Sequence, residues 1–455
     1  MRHFLPHFIQ EHFRNNVQQG CLRACTMFAD LSGFTRLTDK LMQHGPEGAE
    51  ELSAVLNHIF QPTVALVYAH GGFIPYFAGD SFTAIFPILD SGEGPIIALK
   101  ALQTAQAMLS RFELEQADAN SILSEHQIGL KVGLSLGDVL WGIVGEKRKA
   151  YYFRGTPIDA CAEAQTKANH LEMVGDDQLL RFLNPDFVDS EPIGERFFKL
   201  RMGKDFPKQP ILASLKSALP IPDPEITAAF FPKEVFENHG LGEFRNVVSV
   251  FLSFEGVDTH ESLNHFASVV LDQSLNFGGY FKEIDFGDKG GVMFCLFGAP
   301  ISFENNTERA LEFLGAVQEE LRNLESLTGA HYRIGIASGQ AFTGVIGSPE
   351  RCQYAAVGAR VNLGARLMMK AEWGQVMADE NVSRNRNFKF SYSGDGHYKG
   401  FDNAIPTYTL TGRNLAGRAT FSGDYFGRQT ELNTLFEFSK PLRENRFAGV
   451  ANIFG

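Results

Sequence analysis

Residues 28–35 read "FADLSGFT" and residues 251–258 read "FLSFEGVD". In both, an apolar run ends in a short polar stretch with a glycine, as where a strand gives way to a helix. The first copy carries Asp30; the second has Ser253 in its place. The shape is written twice and the carboxylate once.

The flanks of both stretches repeat in the same order, which makes an internal repeat the organising feature of the chain. The first unit predicts a strand over "RACTMFAD", a helical stretch 36–69 and the run "GGFIPYFAGDSFTAIFP". A helical stretch near 95–116, "IGLKVGLSLGDVLWGIVG" and "YYFRGTPIDACAEAQTKA" follow. The second unit predicts a strand over "NVVSVFLSF", a helix over 259–276 and "GGYFKEIDFGDKGGVMFCLFG". It ends with a helix over 305–327, "YRIGIASGQAFTGVIG" and "YAAVGARVNLGARLMMKA". The glycine-bearing β-rich runs predict hairpins or bulged strands. Pro75, ahead of Asp80, predicts a sheet edge or a bend. The units fall at 20–202 and 244–412, with a proline-bearing, ordered connector at 203–243 and a separate tail at 413–455.

Length and composition agree with two domains. The chain has 455 residues, 44% of them apolar and 21% charged, the balance of a globular protein. A net charge of -12 argues against non-specific nucleic-acid binding, which needs a basic surface. A nucleotide site needs only a few local cations. The five cysteines, Cys21, Cys25, Cys161, Cys295 and Cys352, are scattered. They read as reduced thiols in a cytoplasmic chain rather than a zinc site. Neither a transmembrane segment nor a signal peptide is expected, since charged and polar residues break every long apolar run and the N-terminus. Phe4, Leu5, Phe8 and Ile9 predict one face of a short helix docked on the chain's own core.

Asp30 ends a strand before a helix, and Asp80 sits in "AGDSF" between two apolar runs, as at a hairpin tip. Singly they read as a helix cap and a turn residue. Together, on neighbouring strands, two such carboxylates suit two divalent ions bridging a nucleotide triphosphate.

The runs "FADLSGFT", "FAGDSF", "KVGLSLGDVLWGIVG" and "RGTPID" resemble the first catalytic half of a class III nucleotidyl cyclase. "DKGGVMFCLFG", "RIGIASGQAFTGVIG" and "VGARVNLGARLM" resemble the second half. The likeness spans residues 20–412 and extends to the tandem catalytic region of bicarbonate-regulated soluble adenylyl cyclases. It implies an α+β fold: two ferredoxin-like (βαββαβ-type) domains forming an intramolecular pseudo-twofold heterodimer. The first half would be the metal-binding one and the second would supply purine and transition-state contacts. Ser253 for Asp30, and "PIDACAEAQ" where the other half has "VNLGARLMM", are then complementary losses.

The resemblance also implies roles. Asp30 and Asp80 would hold two Mg²⁺ or Mn²⁺ ions. Backbone N–H groups of Leu31, Ser32, Gly33 and Phe34 would meet the phosphates, and Lys131 the outer phosphates. Asn362 would orient the ribose and Arg366 would stabilise charge on the transferring phosphate. Lys289 would donate to adenine N1, which guanine cannot accept, with Lys282 in the same hairpin as its rival. Ala355 stands where a second purine contact is usual. The implied activity is conversion of ATP to cyclic AMP and pyrophosphate. The alternatives are a guanylyl or mixed-specificity cyclase, encouraged by Ala355, and a silent nucleotide-binding regulatory module.

Two further expectations come from the resemblance. Tyr76 and Ala162 replace the lysine and arginine that hold bicarbonate in stimulated members, so bicarbonate should act weakly or not at all. In the tail, "YFGRQTELNTLFEF" resembles the entry to a P-loop ATPase domain, which implies an ATPase and regulatory region in a longer chain.

Overall fold

The computed structural model describes residues 2–90, 92–118, 121–207, 219–237, 242–287, 290–398, 401, 403–414, 428–444 and 446–451. Residues 1–413 form one compact unit and 414–455 a second. The first repeat begins with α1 (His7–Arg14), β1 (Gln19–Ser32), α2 (Phe34–Met42), α3 (Gly45–Ala69), β2 (Phe77–Ala78), β3 (Ser81–Ile88) and α4 (Gly94–Ala117). It continues through α5 (Ile122–Glu125), β4 (Gly129–Val144), β5 (Ala150–Arg154), α6 (Thr156–Lys167), β6 (Met173–Asp176), α7 (Asp177–Leu180), β7 (Val188–Ile193) and β8 (Phe197–Met202). The connector holds α8 (Pro224–Phe230) and α9 (Lys233–Phe236). The second repeat begins with β9 (Glu243–Glu255), α10 (His260–Asn276), β10 (Tyr280–Gly287), β11 (Gly290–Phe297), α11 (Asn306–Thr328) and β12 (His331–Ser348). Then come β13 (Arg351–Val357), α12 (Ala359–Lys370), β14 (Val376–Asp379), α13 (Glu380–Ser383), β15 (Phe388–Gly396) and β16 (Ile405–Arg413).

The two sheets have the same plan. Strand order is β2-β3-β1-β4-β6-β8-β7 in one and β10-β11-β9-β12-β14-β16-β15 in the other, with β5 and β13 pairing off β4 and β12. The glycine-bearing runs are not hairpins: β4 and β12 are single strands of 16 and 18 residues. Their glycines serve packing instead. A Cβ on Gly133 would stand 2.0 Å from the Cys161 carbonyl of α6, and one on Gly335 would stand 2.1 Å from the Gly364 carbonyl of α12. Each helix backbone therefore lies directly on its sheet, which fixes where the helix side chains point.

Each core takes in part of the other repeat. Phe342 and Ile346 of β12 and Ala355 and Val357 of β13 join the first core, beside Leu52, Phe60 and Val64 of α3. Reciprocally, Val144, Ala150 and Tyr152 join the second. Burying a large apolar side chain stabilises by about 1.5–3 kcal/mol, so this exchange joins the repeats as firmly as a core. A third cluster unites Phe4, Leu5 and Ile9 of the N-terminal segment with Ile226 and Phe230 of α8 and with both repeats. The N-terminal segment thus docks on the chain's own core as expected, although Phe4 and Leu5 precede α1 instead of lying on its face.

Among the described residues one helix is long and apolar enough to cross a membrane by length and composition: Glu47–Ala69 within α3, mean hydropathy 1.2. Glu50, Glu51 and His58 interrupt its apolar run. Those side chains lie on the outer face, while Leu52, Leu56 and Phe60 are buried in the first core. In the second unit the described residues form α14 (Gln429–Ser439) and a 3-10 turn at Lys440–Glu444.

Candidate active site

Antiparallel pairing sets the two carboxylates side by side. Asp30 of β1 faces Ser81 of β3 on one side and Lys131 of β4 on the other. Asp80 is in the turn between β2 and β3, one residue before Ser81, and its carbonyl accepts from the Leu31 N–H at 3.2 Å. Gly79 at φ +67 makes that turn, a conformation that side chains rarely tolerate. Asp30 and Asp80 both line a cleft of about 390 Å³ between the repeats.

Asn362 and Arg366 line the same cleft from α12. They are the fourth and eighth residues of that helix, hence on one face. Arg360 holds the helix in place: its Nη1 lies 3.4 Å from Asp379 Oδ2, and its guanidinium sits 5.1 Å from the Phe401 ring centre. Partial burial lowers the pKa of Arg366, and the charge of Asp80 acts in the opposite direction. A guanidinium stays protonated through such a shift. The second repeat's cation therefore faces the first repeat's carboxylate across the cleft.

The donor set suits a hard divalent cation. Two carboxylates on adjacent strands leave most coordination positions to water and phosphate oxygens, as Mg²⁺ prefers. Among the described residues no group of three or more His, Cys, Asp or Glu could hold a metal, so a protein-only cage such as structural zinc needs is absent there. Gln165 of α6 donates from Nε2 to Asp30 Oδ2 at 3.0 Å, fixing the carboxylate's rotation. Sequence reasoning passed over Gln165; its signal is a lone amide in an alanine-rich helix.

The remaining expected residues divide. Lys131 shares a sheet face with Asp30 as its cross-strand partner but is not among the residues lining the cleft. Of Leu31, Ser32, Gly33 and Phe34, none lines the cleft, and the Leu31 N–H is already committed to Asp80. Ser32 Oγ lies 3.4 Å from His170 Nδ1, Gly33 is the left-handed cap of α2 at φ +88, and Phe34 is buried. Ala355 also stays off the cleft: it packs in the first core, and strand alternation presents Ala356 to the cleft instead. Lys289 lies outside the described residues, whereas its rival Lys282 lines the cleft. Lys282 Nζ donates to the Phe77 carbonyl at 3.1 Å and lies 2.7 Å from Glu283 Oε2. Glu283, Gln353 and Arg351 were not singled out by sequence, because each reads alone as an ordinary strand polar residue.

The second repeat's counterparts follow from register. Ser253 pairs with Val292 and Arg333, as Asp30 does with Ser81 and Lys131. Gly291 thus takes the place of Asp80. At positions four and eight of α6, Asp159 and Glu163 stand where α12 has Asn362 and Arg366.

Residues 17–205 and 287–412 match the adenylate and guanylate cyclase catalytic domain family, more than half of the chain. Adenylate cyclase type 10 of Mus musculus is 25% identical over 398 residues, covering 77% of this chain and 24% of its own length. The Homo sapiens protein of the same name is 26% identical over 479 residues, covering 90% and 28%. The chain thus spans about a quarter of the length of these relatives. A solved class III adenylyl cyclase-like ATP-binding protein from Pseudomonas aeruginosa shares the fold over 80% of this chain and 85% of its own, with a TM-score of 0.53 and 13% identity. With the cyclase signature in both sheets and the strand order repeated, the chain belongs to the class III adenylate and guanylate cyclase catalytic domain family and carries that domain twice in tandem.

Proposed function

We propose that the cleft is a single adenylyl cyclase site that converts ATP to 3′,5′-cyclic AMP and pyrophosphate. The observation that carries this reading is the convergence of Asp30 and Asp80 from one repeat with Asn362 and Arg366 from the other on one cleft. Asp30 and Asp80 would hold Mg²⁺ or Mn²⁺ against the triphosphate. Bound there, such ions supply Lewis-acid polarisation of the 3′-hydroxyl and the α-phosphate.

The chain's own residues do the rest. Asn362 hydrogen-bonds the ribose and orients the 3′-oxygen for in-line attack on the α-phosphorus. Arg366 takes up charge that grows on the α-phosphoryl oxygens as the bond to pyrophosphate breaks. Lys131, on the sheet face of Asp30 though outside the cleft lining, would have to extend toward the outer phosphates. Lys289, or its rival Lys282 in the same hairpin, donates to adenine N1; Lys282 lines the cleft. Relatives named adenylate cyclase favour ATP as the substrate, and a cytoplasmic setting would supply it.

A mixed-specificity reading has its own observation. Glu283 lines the cleft beside Lys282 and offers an acceptor, which suits the N1–H of guanine. Gln353 and Lys282 already engage that carboxylate, which favours ATP. Incubating the purified protein with ATP or GTP and Mg²⁺ or Mn²⁺, with Asp80→Ala as control, tests both readings. Cyclic AMP that vanishes in the variant supports the cyclase. Equal cyclic GMP supports mixed specificity, and nucleotide binding without product overturns the enzyme in favour of a regulatory module.

A further inference from the structure

Arg351 of β13 is among the largest fully buried side chains in the described structure, and it is charged. Its hydrogen bonds go to neutral oxygens. Nε donates to the Ile74 carbonyl at 2.9 Å and Nη1 to the Phe4 carbonyl at 2.7 Å. Nη2 donates to the Pro75 carbonyl and, at 3.1 Å, to Tyr151 Oη. Tyr151 Oη in turn donates to the same Pro75 carbonyl at 2.8 Å. A second-repeat guanidinium thus grips the first-repeat segment that leads into β2.

Two residues along, on the same face of β13, Gln353 continues the grip. The Phe77 N–H donates to Gln353 Oε1 at 3.0 Å, and Gln353 Nε2 donates back to the Phe77 carbonyl at 3.2 Å. This exchange of two bonds copies a strand ladder. It satisfies the outer edge of β2, the edge strand of its sheet. Gln353 Nε2 also donates to Glu283 Oε2 at 2.8 Å, and Lys282 Nζ shares the Phe77 carbonyl.

Asp80 follows Phe77 by three positions. The Asp80 turn is therefore held on its inner side by β1 and on its outer side by the second repeat. Joining the repeats does not require a buried charge; apolar side chains of similar volume do that at least as well. What a fan of directional bonds adds is register.

We propose that Arg351 and Gln353 are positioning residues: they clamp the strand that carries Asp80 so that the second repeat sets where this metal-binding carboxylate stands relative to Arg366. The inference rests on the cyclase reading of Asp80, and its test does not depend on turnover.

Gln353→Leu, Gln353→Glu, Arg351→Met and Arg351→Lys are compared with the wild-type chain. Mn²⁺ affinity is measured calorimetrically in the presence of a non-cyclising ATP analogue. Amide exchange is followed over residues 74–80. Gln353→Leu should weaken Mn²⁺ binding about tenfold, the scale for a residue that orients a metal ligand. Exchange should quicken at 74–80, while the melting temperature falls by only a few degrees, roughly the effect of one lost hydrogen-bonded pair. Gln353→Glu should be at least as weak, since it sets a second carboxylate against Glu283. Arg351→Lys should recover part of what Arg351→Met loses. Unchanged Mn²⁺ affinity in folded Gln353→Leu overturns the proposal, and so does exchange raised evenly over the whole chain. A wild-type protein that binds Mn²⁺ and analogue but makes no cyclic nucleotide sinks the cyclase reading alone.

Discussion

Gln165 donates from Nε2 to Asp30 Oδ2 at 3.0 Å, and at the matching tenth position of the second repeat's helix stands Met368, which cannot do so. The amide accompanies the carboxylate and is missing where the carboxylate is missing. Gln165→Met should leave the fold intact, since Met368 already occupies the equivalent site. It should free Asp30 to rotate and weaken activation by Mg²⁺ roughly tenfold. Titrating Mg²⁺ at saturating ATP checks this; an unchanged half-saturation point would remove Gln165 from the site.

Gly335 carries the next expectation and also shows the limits of the sequence. The two-fold order of elements, the strand-end position of Asp30 and the hairpin position of Asp80 were all legible, because apolar periodicity and turn residues are local signals. The glycines of β4 and β12 misled, because a glycine that lets a helix lie on a strand looks the same in one dimension as one that makes a bend. The orientation of Ala355 was likewise invisible: it depends on β13 feeding one face into the other repeat's core. Gly335→Ala should push α12 off the sheet, since the added Cβ would meet the Gly364 carbonyl at 2.1 Å and Met368 N at 2.2 Å. Overpacking of this kind costs about 1–3 kcal/mol. Cyclase activity should fall by far more than stability does, because Asn362 and Arg366 ride on α12. Activity and thermal melting measured on the same preparation separate the two effects.

The resemblance expects cations at the positions of Tyr76 and Ala162, and neither residue supplies one. Burial pushes the Tyr76 phenol well above its ordinary pKa, so it stays neutral, and Ala162 presents a methyl group to the cleft. Neither side chain offers an anion leaving water the charge that a lysine or arginine at its position would, although Lys282 lines both the cleft beside Ala162 and the pocket beside Tyr76. Bicarbonate titrated at fixed pH and ionic strength should therefore give no saturable activation. A saturable rise would show that other cations hold the anion.

Asp379 makes stability depend on pH. Its carboxyl is pushed up to about 6, chiefly by burial, against the pull of the Val382 N–H it caps and of Arg360. The folded state thus takes up a proton at a higher pH than the unfolded chain, whose ordinary value is 3.8. Protonation of Asp379 favours folding: the gain is full below the unfolded value and is lost as pH rises through about 6. Against Asp379→Asn, wild type should therefore gain roughly 2 kcal/mol of relative stability between pH 7 and pH 4. Denaturant titrations of both proteins across that range give the difference directly; parallel curves would show that burial does not shift this group.

Losses complementary between the halves predict one nucleotide per chain. The second repeat has Ser253 and Gly291 on the strands that hold Asp30 and Asp80 in the first. On the facing helix it meets Asp159 and Glu163 in place of an amide and a guanidinium. Among the described residues that end offers no pair matching Asp30 and Asp80, and it carries two acids, Glu163 beside Arg196 at 3.6 Å, where the other end has an amide and a guanidinium for phosphate oxygens. Calorimetry with Mn²⁺ and a non-cyclising ATP analogue should give a stoichiometry of one. Ser253→Asp with Gly291→Asp should leave it at one, because restoring the acids adds negative charge without supplying the missing Asn and Arg. Adding Asp159→Asn and Glu163→Arg to that pair is the change that should raise it. A stoichiometry of two in the wild-type chain would mean that the second cleft binds nucleotide by contacts other than those of the first.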